Sequence, residues 1–521
     1  MGVNFRKRLK RFFFTSLPIF YIIFALFIPF VLSLRFSGGF SYTALLDNVS
    51  KIRFTIYQAF LSSILTALLG IPGAYLVGRT KIHPFIKKVF RIMSSIPFVL
   101  PGITMAIGFF LVFGNNGIFV RTLRILGLDV QILYTFGAIL LGHVFYNFPL
   151  FIRIVGEAWE NIDGHLIEAG KIDGASNWKI LSKIELPVLL PAIMRAFFLT
   201  FIYTFTSFSV VLILGGIKFS TIEVAIYMYS RVTFNFKAAA TLMIFQLLFI
   251  STLGFFTSIK REVYEKQHFK HLEKFPKWGY FFFAIATFLI FLPLVYSAIS
   301  GFLDYFGKFS LNNFNQLFQE DLEYLVGTDL KKMIIYTILI ATISTSLSII
   351  ISLFGGYYSV RGKKINYVIL IPAAMSSVTI AFSYVLIDMP TILRIILVHS
   401  LINLPIAFGM VETGWRNIPQ SIIDAAKVDG ASNLKWIFKV AVPLMKNYIF
   451  TAFVYSFTIS VGETSGTLTL AEPPITTFAA VVFRLMSSRN TEIAMALNTF
   501  YFAFVVSLFI IIELLRKEEV E

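Results

Sequence analysis

Residues 168–187 read EAGKIDGASNWKILSKIELP, and residues 424–443 read DAAKVDGASNLKWIFKVAVP. The second stretch is the first moved by 256 positions, and the run Asp-Gly-Ala-Ser-Asn is identical in both. The register extends upstream without a gap to His143 and His399. It pairs Asn147 with Asn403, Pro149 with Pro405, Trp159 with Trp415 and Asn161 with Asn417. Aligning 143–193 with 399–449 gives 19 identities in 51 positions. A fixed internal period of this kind means one structural unit used twice.

Composition places that unit in a membrane. The 521 residues are 57% apolar and include 60 Phe, yet only 14% are charged, against about 25% in soluble domains. The net charge is +17. In a membrane protein such an excess marks the cytoplasmic loops, and no basic face interleaved with aromatics suggests nucleic acid. The chain has no cysteine, which excludes disulfides, thiolate metal sites and cysteine nucleophiles. No metal site and no cofactor motif is visible. The N-terminal run MGVNFRKRLKR, followed by apolar residues from Leu17 to Leu34, is too long for a signal peptide. It reads as a retained first membrane helix.

A spanning helix needs about 20 apolar residues. Six runs fit in the first half, at 16–34, 55–77, 92–113, 133–155, 191–213 and 237–258. Six more fit in the second, at 278–300, 332–358, 366–387, 392–412, 445–465 and 493–515. The charged stretch 259–277 reads as a linker between repeats 1–258 and 278–521. With twelve spans, the basic segments 6–11, 79–91, 171–183, 260–277, 361–364, 427–439 and 516–517 fall on one side. By the bias of Lys and Arg toward the inside, that side is the cytoplasm, and both termini are there. Six spans per repeat is even, so the repeats run parallel about an axis along the membrane normal. The expected fold is an all-α integral membrane protein of twelve transmembrane helices in two six-helix repeats.

The repeated stretch then falls in a cytoplasmic loop of each repeat, near 156–187 and 412–443. Its apolar spacing predicts a helix, a turn at Gly174 or Gly430, and a second helix capped at Ser176/Asn177 or Ser432/Asn433. Pro187 and Pro443 mark entry into the next span. An ordered element with an exposed apolar face is an interface signal, and two such elements imply a partner with two matching sites.

The pattern EAA, three residues, Gly, a spacer and I/L-x-LP resembles the signature loop of type I ABC importer permeases. Here it is Glu168-Ala169-Gly170, Asp173-Gly174 and Ile184-Glu185-Leu186-Pro187. The second copy has Asp424-Ala425-Ala426 and Asp429-Gly430, and ends in Val440-Ala441-Val442-Pro443. The resemblance implies that each loop is a coupling helix seated on one of two ATP-binding subunits, and that an extracytoplasmic solute-binding protein delivers the substrate. The chain contains no G-x-x-x-x-G-K-[ST] phosphate loop, so it is not read as an enzyme and ATP hydrolysis is expected in a separate polypeptide. The family's pathway along the fifth spans implies Thr206 and Ser207 in the first repeat, with Ser460, Glu463 and Ser465 in the second. His143 and His399, each followed four residues later by Asn, read as helix-to-helix hydrogen bonding.

A break is expected in the third span at Pro101-Gly102, and none at the corresponding Ser376-Ser377. Fusion of two repeats resembles the ferric-iron and thiamine permeases, and VGETSGTLTLAEPP (461–474) is closer to the iron group. Ferric iron is the expected substrate and thiamine the alternative. A twelve-span secondary transporter driven by an ion gradient is the rival class, but it leaves the repeated loops without a role.

Overall fold

The structure is a computed structural model that describes residues 16–88, 101–257, 271–304, 307–362, 364–431 and 433–517. The basic segment 6–11, the end of the segment 79–91, the start of the run 92–113, most of the linker 259–277 and the expected cap Ser432 lie outside the described residues. Every regular element among the described residues is a helix. Ten are long and apolar enough to cross a membrane, or eleven if the bent pair Ile437–Leu444 and Lys446–Gly462 is one span.

Buried backbone amides in lipid must be satisfied within the segment, which is why these apolar runs become helices. In the first repeat they are α1 (Ser16–Phe36), α2 (Val49–Arg79), α3 (Gly102–Phe113), α4 (Phe136–Glu160), the loop helix α5 (Gly164–Ile172), α6 (Leu186–Phe205), the short α7 (Ile222–Arg231) and α8 (Phe236–Thr257). The second repeat supplies α9 (Lys277–Ala298), α10 (Leu330–Ser359), α11 (Ser377–Val385), α12 (Thr391–Arg416), the loop helix α13 (Gln420–Val428), α14 (Lys446–Gly462), the short α15 (Phe478–Ser487) and α16 (Thr491–Lys517).

One expectation is corrected here. The run 366–387 is not a single helix. It divides into Ile365–Ile369, a 3-10 turn at Ile371–Ala374 and α11. Pro372 cannot donate to the helical ladder, and the Ser376 hydroxyl accepts the Thr379 amide at 3.1 Å to start a new helix. Ser376-Ser377 therefore starts a helix within its run, as Pro101, at the N-terminal cap of α3, does in the first repeat. The two repeats are alike in starting a helix at this point, because a serine cap starts a helix as effectively as a proline does.

The chain divides into two compact units that do not follow the repeats. One holds 46–225 and 248–315; the other holds 1–45, 226–247 and 316–521. The opening helix of each repeat thus belongs with the body of the other. In the first unit α9 packs on α3, where the Ser297 hydroxyl donates to the Thr104 carbonyl at 2.5 Å. A Cβ on Gly108 would stand 2.1 Å from the Pro293 oxygen, so only glycine admits that approach. In the second unit α1 packs on α11 and α12. The Tyr384 hydroxyl donates to the Ala25 carbonyl, and Tyr21 and Ser400 share a hydrogen bond.

Each unit repeats one buried polar pattern. Thr55 on α2 accepts the Ile222 amide at 2.9 Å, and Thr337 on α10 accepts the Phe478 amide at 2.9 Å. Tyr75 meets Trp159 edge-on with ring centroids 5.5 Å apart, and Tyr357 meets Trp415 likewise at 5.4 Å. These α2 and α10 positions are related by 282 residues (337 − 55 and 357 − 75), whereas Ile222 and Phe478 keep the offset of 256. The segment joining α2 to α4 is therefore 26 residues longer than its counterpart (282 − 256), which is why the direct register stops at His143.

Candidate functional site

The first repeated loop starts at Asp163, whose carboxylate accepts the His165 amide at 3.0 Å and caps α5. The helix closes in a Schellman turn: the Ala175 amide reaches the Gly170 carbonyl at 2.9 Å, with Gly174 left-handed at φ +76°. The second loop closes identically, Ala431 to Ala426 at 3.0 Å, with Gly430 at φ +69°. A Cβ at either glycine would meet nothing within 4 Å, so the glycines serve the turn and not a close approach. Close approach falls instead on Gly170, where a Cβ would lie 2.9 Å from Ile184 Cδ1. Ser176 accepts the Lys179 amide at 3.3 Å and starts the second helix.

Both copies then pass through one π turn, Leu181–Glu185 and Ile437–Ala441, before the spanning helix. Pro187 and Pro443 sit in the first turn after it, where a missing amide costs nothing.

The expected loop residues fall into three groups. Asp173 and Asp429 close their helices and face outward; their amides reach the Ala169 and Ala425 carbonyls at 2.9 and 3.0 Å. Glu168 is half-buried and lies 3.6 Å from His271 Nδ1. Asp424, its counterpart, accepts from Gln420 Nε2 at 3.1 Å. The residues that stand out are apolar. Ile172 and Val428, at the same position of the two copies, are 85% and 86% exposed, and Trp178 is 74% exposed. Water around three such side chains on ordered helices is a cost that a partner surface removes.

Beneath the first loop lies a group that the sequence reading missed. Glu185 pairs with Arg79 at the end of α2, and both are buried. The same carboxylate accepts from Trp159 Nε1 at 3.3 Å. Arg79 also reaches Glu273 at 3.3 Å and donates to the His271 carbonyl at 2.5 Å. The segment 271–273 is held there by backbone: Lys81 to Glu273 at 2.8 Å and Glu273 to Arg79 at 3.0 Å. His271 in turn lies 2.9 Å from Lys171 Nζ. Residues 271–273, at the end of the linker, thus rest on the first loop.

The second repeat lacks this arrangement. Ala441 replaces Glu185, Trp415 Nε1 donates to the Leu353 carbonyl at 3.1 Å, and Arg361 lies 3.6 Å over the Tyr357 ring. The mismatch of Glu185 with Ala441 inside the quoted stretches was the available signal.

The polar residues expected on the fifth spans fall in different units. Thr206 caps α6 and bonds the Ile202 carbonyl at 2.9 Å, and Ser207 follows it. Ser460 is buried between His399 Nδ1 at 2.7 Å and the Ser344 hydroxyl at 3.1 Å. Glu463 accepts from Ser377 Oγ at 3.0 Å, Ser465 Oγ at 2.9 Å and the Gly466 amide at 2.7 Å. His399 also reaches Thr467 at 2.9 Å, while His143 meets Ser62 at 3.1 Å. Both histidines link neighbouring helices. Among the described residues, no three His, Asp or Glu side chains gather as metal ligands.

Residues 70–266 match the family model for the binding-protein-dependent transport system inner membrane component. The chain is 33% identical over 215 residues to the thiamine transport system permease protein of Brucella abortus, covering 40% of this chain and 39% of that one. It is 29% identical over 211 residues to the thiamine permease of Haemophilus influenzae, covering 40% and 38%. Against these relatives the match spans about two-fifths of their length. It is 24% identical over 476 residues to the ferric transport system permease protein of Actinobacillus pleuropneumoniae, covering 86% of this chain and 66% of that one. The first repeated loop, with its Glu168-Ala169 helix and left-handed Gly174, lies wholly inside the segment that matches this family model.

Proposed function

We propose that this chain is the membrane permease of an ATP-driven, binding-protein-dependent importer, and that α5 and α13 are the coupling helices that receive two ATP-binding subunits. The observation that carries this reading is the pair Ile172 and Val428: one position in two copies, each about 85% exposed beside a left-handed glycine. ATP can bias a membrane domain only through contacts that differ between its states, and these residues supply such contacts. Residues 1–258 and 278–521 act as duplicated permease domains. The loops, the linker 259–277 and both termini lie in the cytoplasm, in a plasma or inner membrane. Glu168, Ala169, Asp173, Gly174 and Pro187, with Asp424, Ala425, Asp429, Gly430 and Pro443, shape the coupling surface. Thr206, Ser207, Ser460, Glu463 and Ser465 border the pathway.

Ferric iron is the substrate this reading favours, because the match to a ferric permease runs through both repeats. The thiamine permeases match over a shorter stretch at higher identity, which keeps thiamine as the second candidate. The test is co-purification with the ATPase encoded beside this chain. Ile172→Ala with Val428→Ala is expected to lose the ATPase and uptake while the permease remains inserted. An intact complex with full uptake sinks the reading, and uptake driven by an ion gradient without any ATPase supports a secondary transporter. Ligand binding by the adjacent binding protein, tried with ferric iron and thiamine, decides the substrate.

A further inference from the structure

At the end of α12 remote from the second loop, two arginines meet one carboxylate and a third holds the backbone carbonyl before it. Glu472 Oε2 accepts from the Thr391 hydroxyl at 2.9 Å and from Arg394 Nη2 at 3.2 Å. Its Oε1 lies 3.9 Å from Arg231 Nη1, at the end of α7. Arg484 on α15 donates to the carbonyl of Ala471, the residue before Glu472, at 3.0 Å. The tally is three guanidinium charges against one carboxylate. Taking guanidinium out of water costs several kcal/mol per ion unless oxyanions compensate it.

Burial differs sharply around this group. The Arg394 side chain is only 9% exposed, and its Nε is buried with no acceptor among the described residues. Glu472, by contrast, is 49% exposed, on a tight turn in which the Ile475 amide returns to the Glu472 carbonyl at 2.9 Å. The cations are thus fixed by the fold, and their counter-ion comes in from the solvent side. Guanidinium presents its donors as a planar fork matched to carboxylate and phosphate. A spare buried Nε beside a donating hydroxyl is a seat for another oxyanion oxygen.

We propose that Arg231, Arg394, Arg484 and Thr391 form an oxyanion site that takes a phosphate group, and that Glu472 occupies it in this conformation as a tethered competitor. The site does not depend on the transport reading above. A phosphate could come from solution or from a lipid headgroup, and both offer at least two anionic non-bridging oxygens to a guanidinium fork.

The experiment uses the full chain purified in a neutral detergent, with thermal unfolding followed as inorganic phosphate is raised at constant ionic strength against chloride. Saturable stabilisation by phosphate and none by chloride is expected. Glu472→Gln removes the competitor, and if Glu472 fills the site about nine-tenths of the time the apparent affinity rises about tenfold. Arg394→Gln is expected to abolish the response. Arg394→Lys keeps the charge but loses the fork, so it folds and binds more weakly. Absence of a phosphate response in the wild type overturns the proposal, even where Glu472→Gln responds, since Glu472 would then be a permanent ion-pair partner. Repeating the titration in nanodiscs separates the sources. A response seen in detergent and lost in nanodiscs of either phosphatidylcholine or phosphatidylglycerol assigns the site to a headgroup, and a response kept in both assigns it to free anion.

Discussion

Arg79 and Glu185 form an ion pair in which each side chain is 3% exposed, while the equivalent positions carry Arg361 and Ala441. One repeat thus anchors its loop by buried charge, and the other by apolar packing around Ala441. The two loops are alike on their outer face and unlike underneath.

Removing one member of that pair is expected to be costly. Arg79→Ala or Glu185→Ala leaves a buried charge uncompensated, at about 3–5 kcal/mol. Arg361→Ala loses an exposed contact with Tyr357, about 1 kcal/mol or less. Chemical unfolding of the detergent-solubilised protein measures both. The double variant Arg79→Leu with Glu185→Ala should cost well below the sum of the single changes, and an additive result contradicts the pairing.

Gly174 and Gly430 should respond to backbone preference and not to size. A Cβ added at either position meets nothing within 4 Å, so the penalty is the left-handed conformation, about 1–2 kcal/mol for an ordinary residue. Asparagine tolerates that region best among non-glycine residues. Stability is expected in the order Gly, Asn, Ala, Val at both positions, read as shifts in Tm. Equal stability of Asn and Val would refute the turn argument.

Asn403 is fully buried on α12, and neither its Oδ1 nor its Nδ2 has a hydrogen-bond partner among the described residues. Asn147, its counterpart on α4, donates to the His143 carbonyl at 2.7 Å. A buried amide without partners costs about 1–3 kcal/mol. Asn403→Leu is therefore expected to be neutral or stabilising, and Asn147→Leu destabilising. Thermal unfolding of the two variants distinguishes this outcome from equal losses.

Glu472 carries a pH signature. Burial works to raise its carboxyl, but the Thr391 hydrogen bond and the charges of Arg394 and Arg231 outweigh it and hold it below the usual range. A depressed pKa adds stability that is complete above the unfolded value, about 4.3, and is lost as pH falls through the folded one. With half the group exposed, solvent screening keeps the loss to on the order of 1 kcal/mol. Acid titration of stability should therefore show a shallow decline below about pH 4 that is absent in Glu472→Gln. The same decline in both proteins rules out Glu472 as its source.

Much of the architecture is written in local pattern. Apolar runs set the helices because lipid leaves the backbone no other partner. The repeated Asp-Gly-Ala-Ser-Asn announces a helix, a left-handed glycine and a serine cap, since those are properties of a few consecutive residues. Gly174 and Ser176 adopt what their chemistry prefers. The ninth run, 366–387, misleads because hydropathy is blind to Pro372 and to a serine that caps.

What only the tertiary structure decided depends on residues far apart in the chain. The grouping of α1 with the second repeat and α9 with the first follows from packing such as Gly108 on Pro293, which no local pattern reports. The match of Tyr75 with Tyr357 lies at an offset of 282 and is hidden by the longer connection before His143. The Arg79–Glu185 pair and the arginines around Glu472 join side chains tens to hundreds of positions apart. Charge acts through distance in space, so these groups became visible only once the helices were assembled.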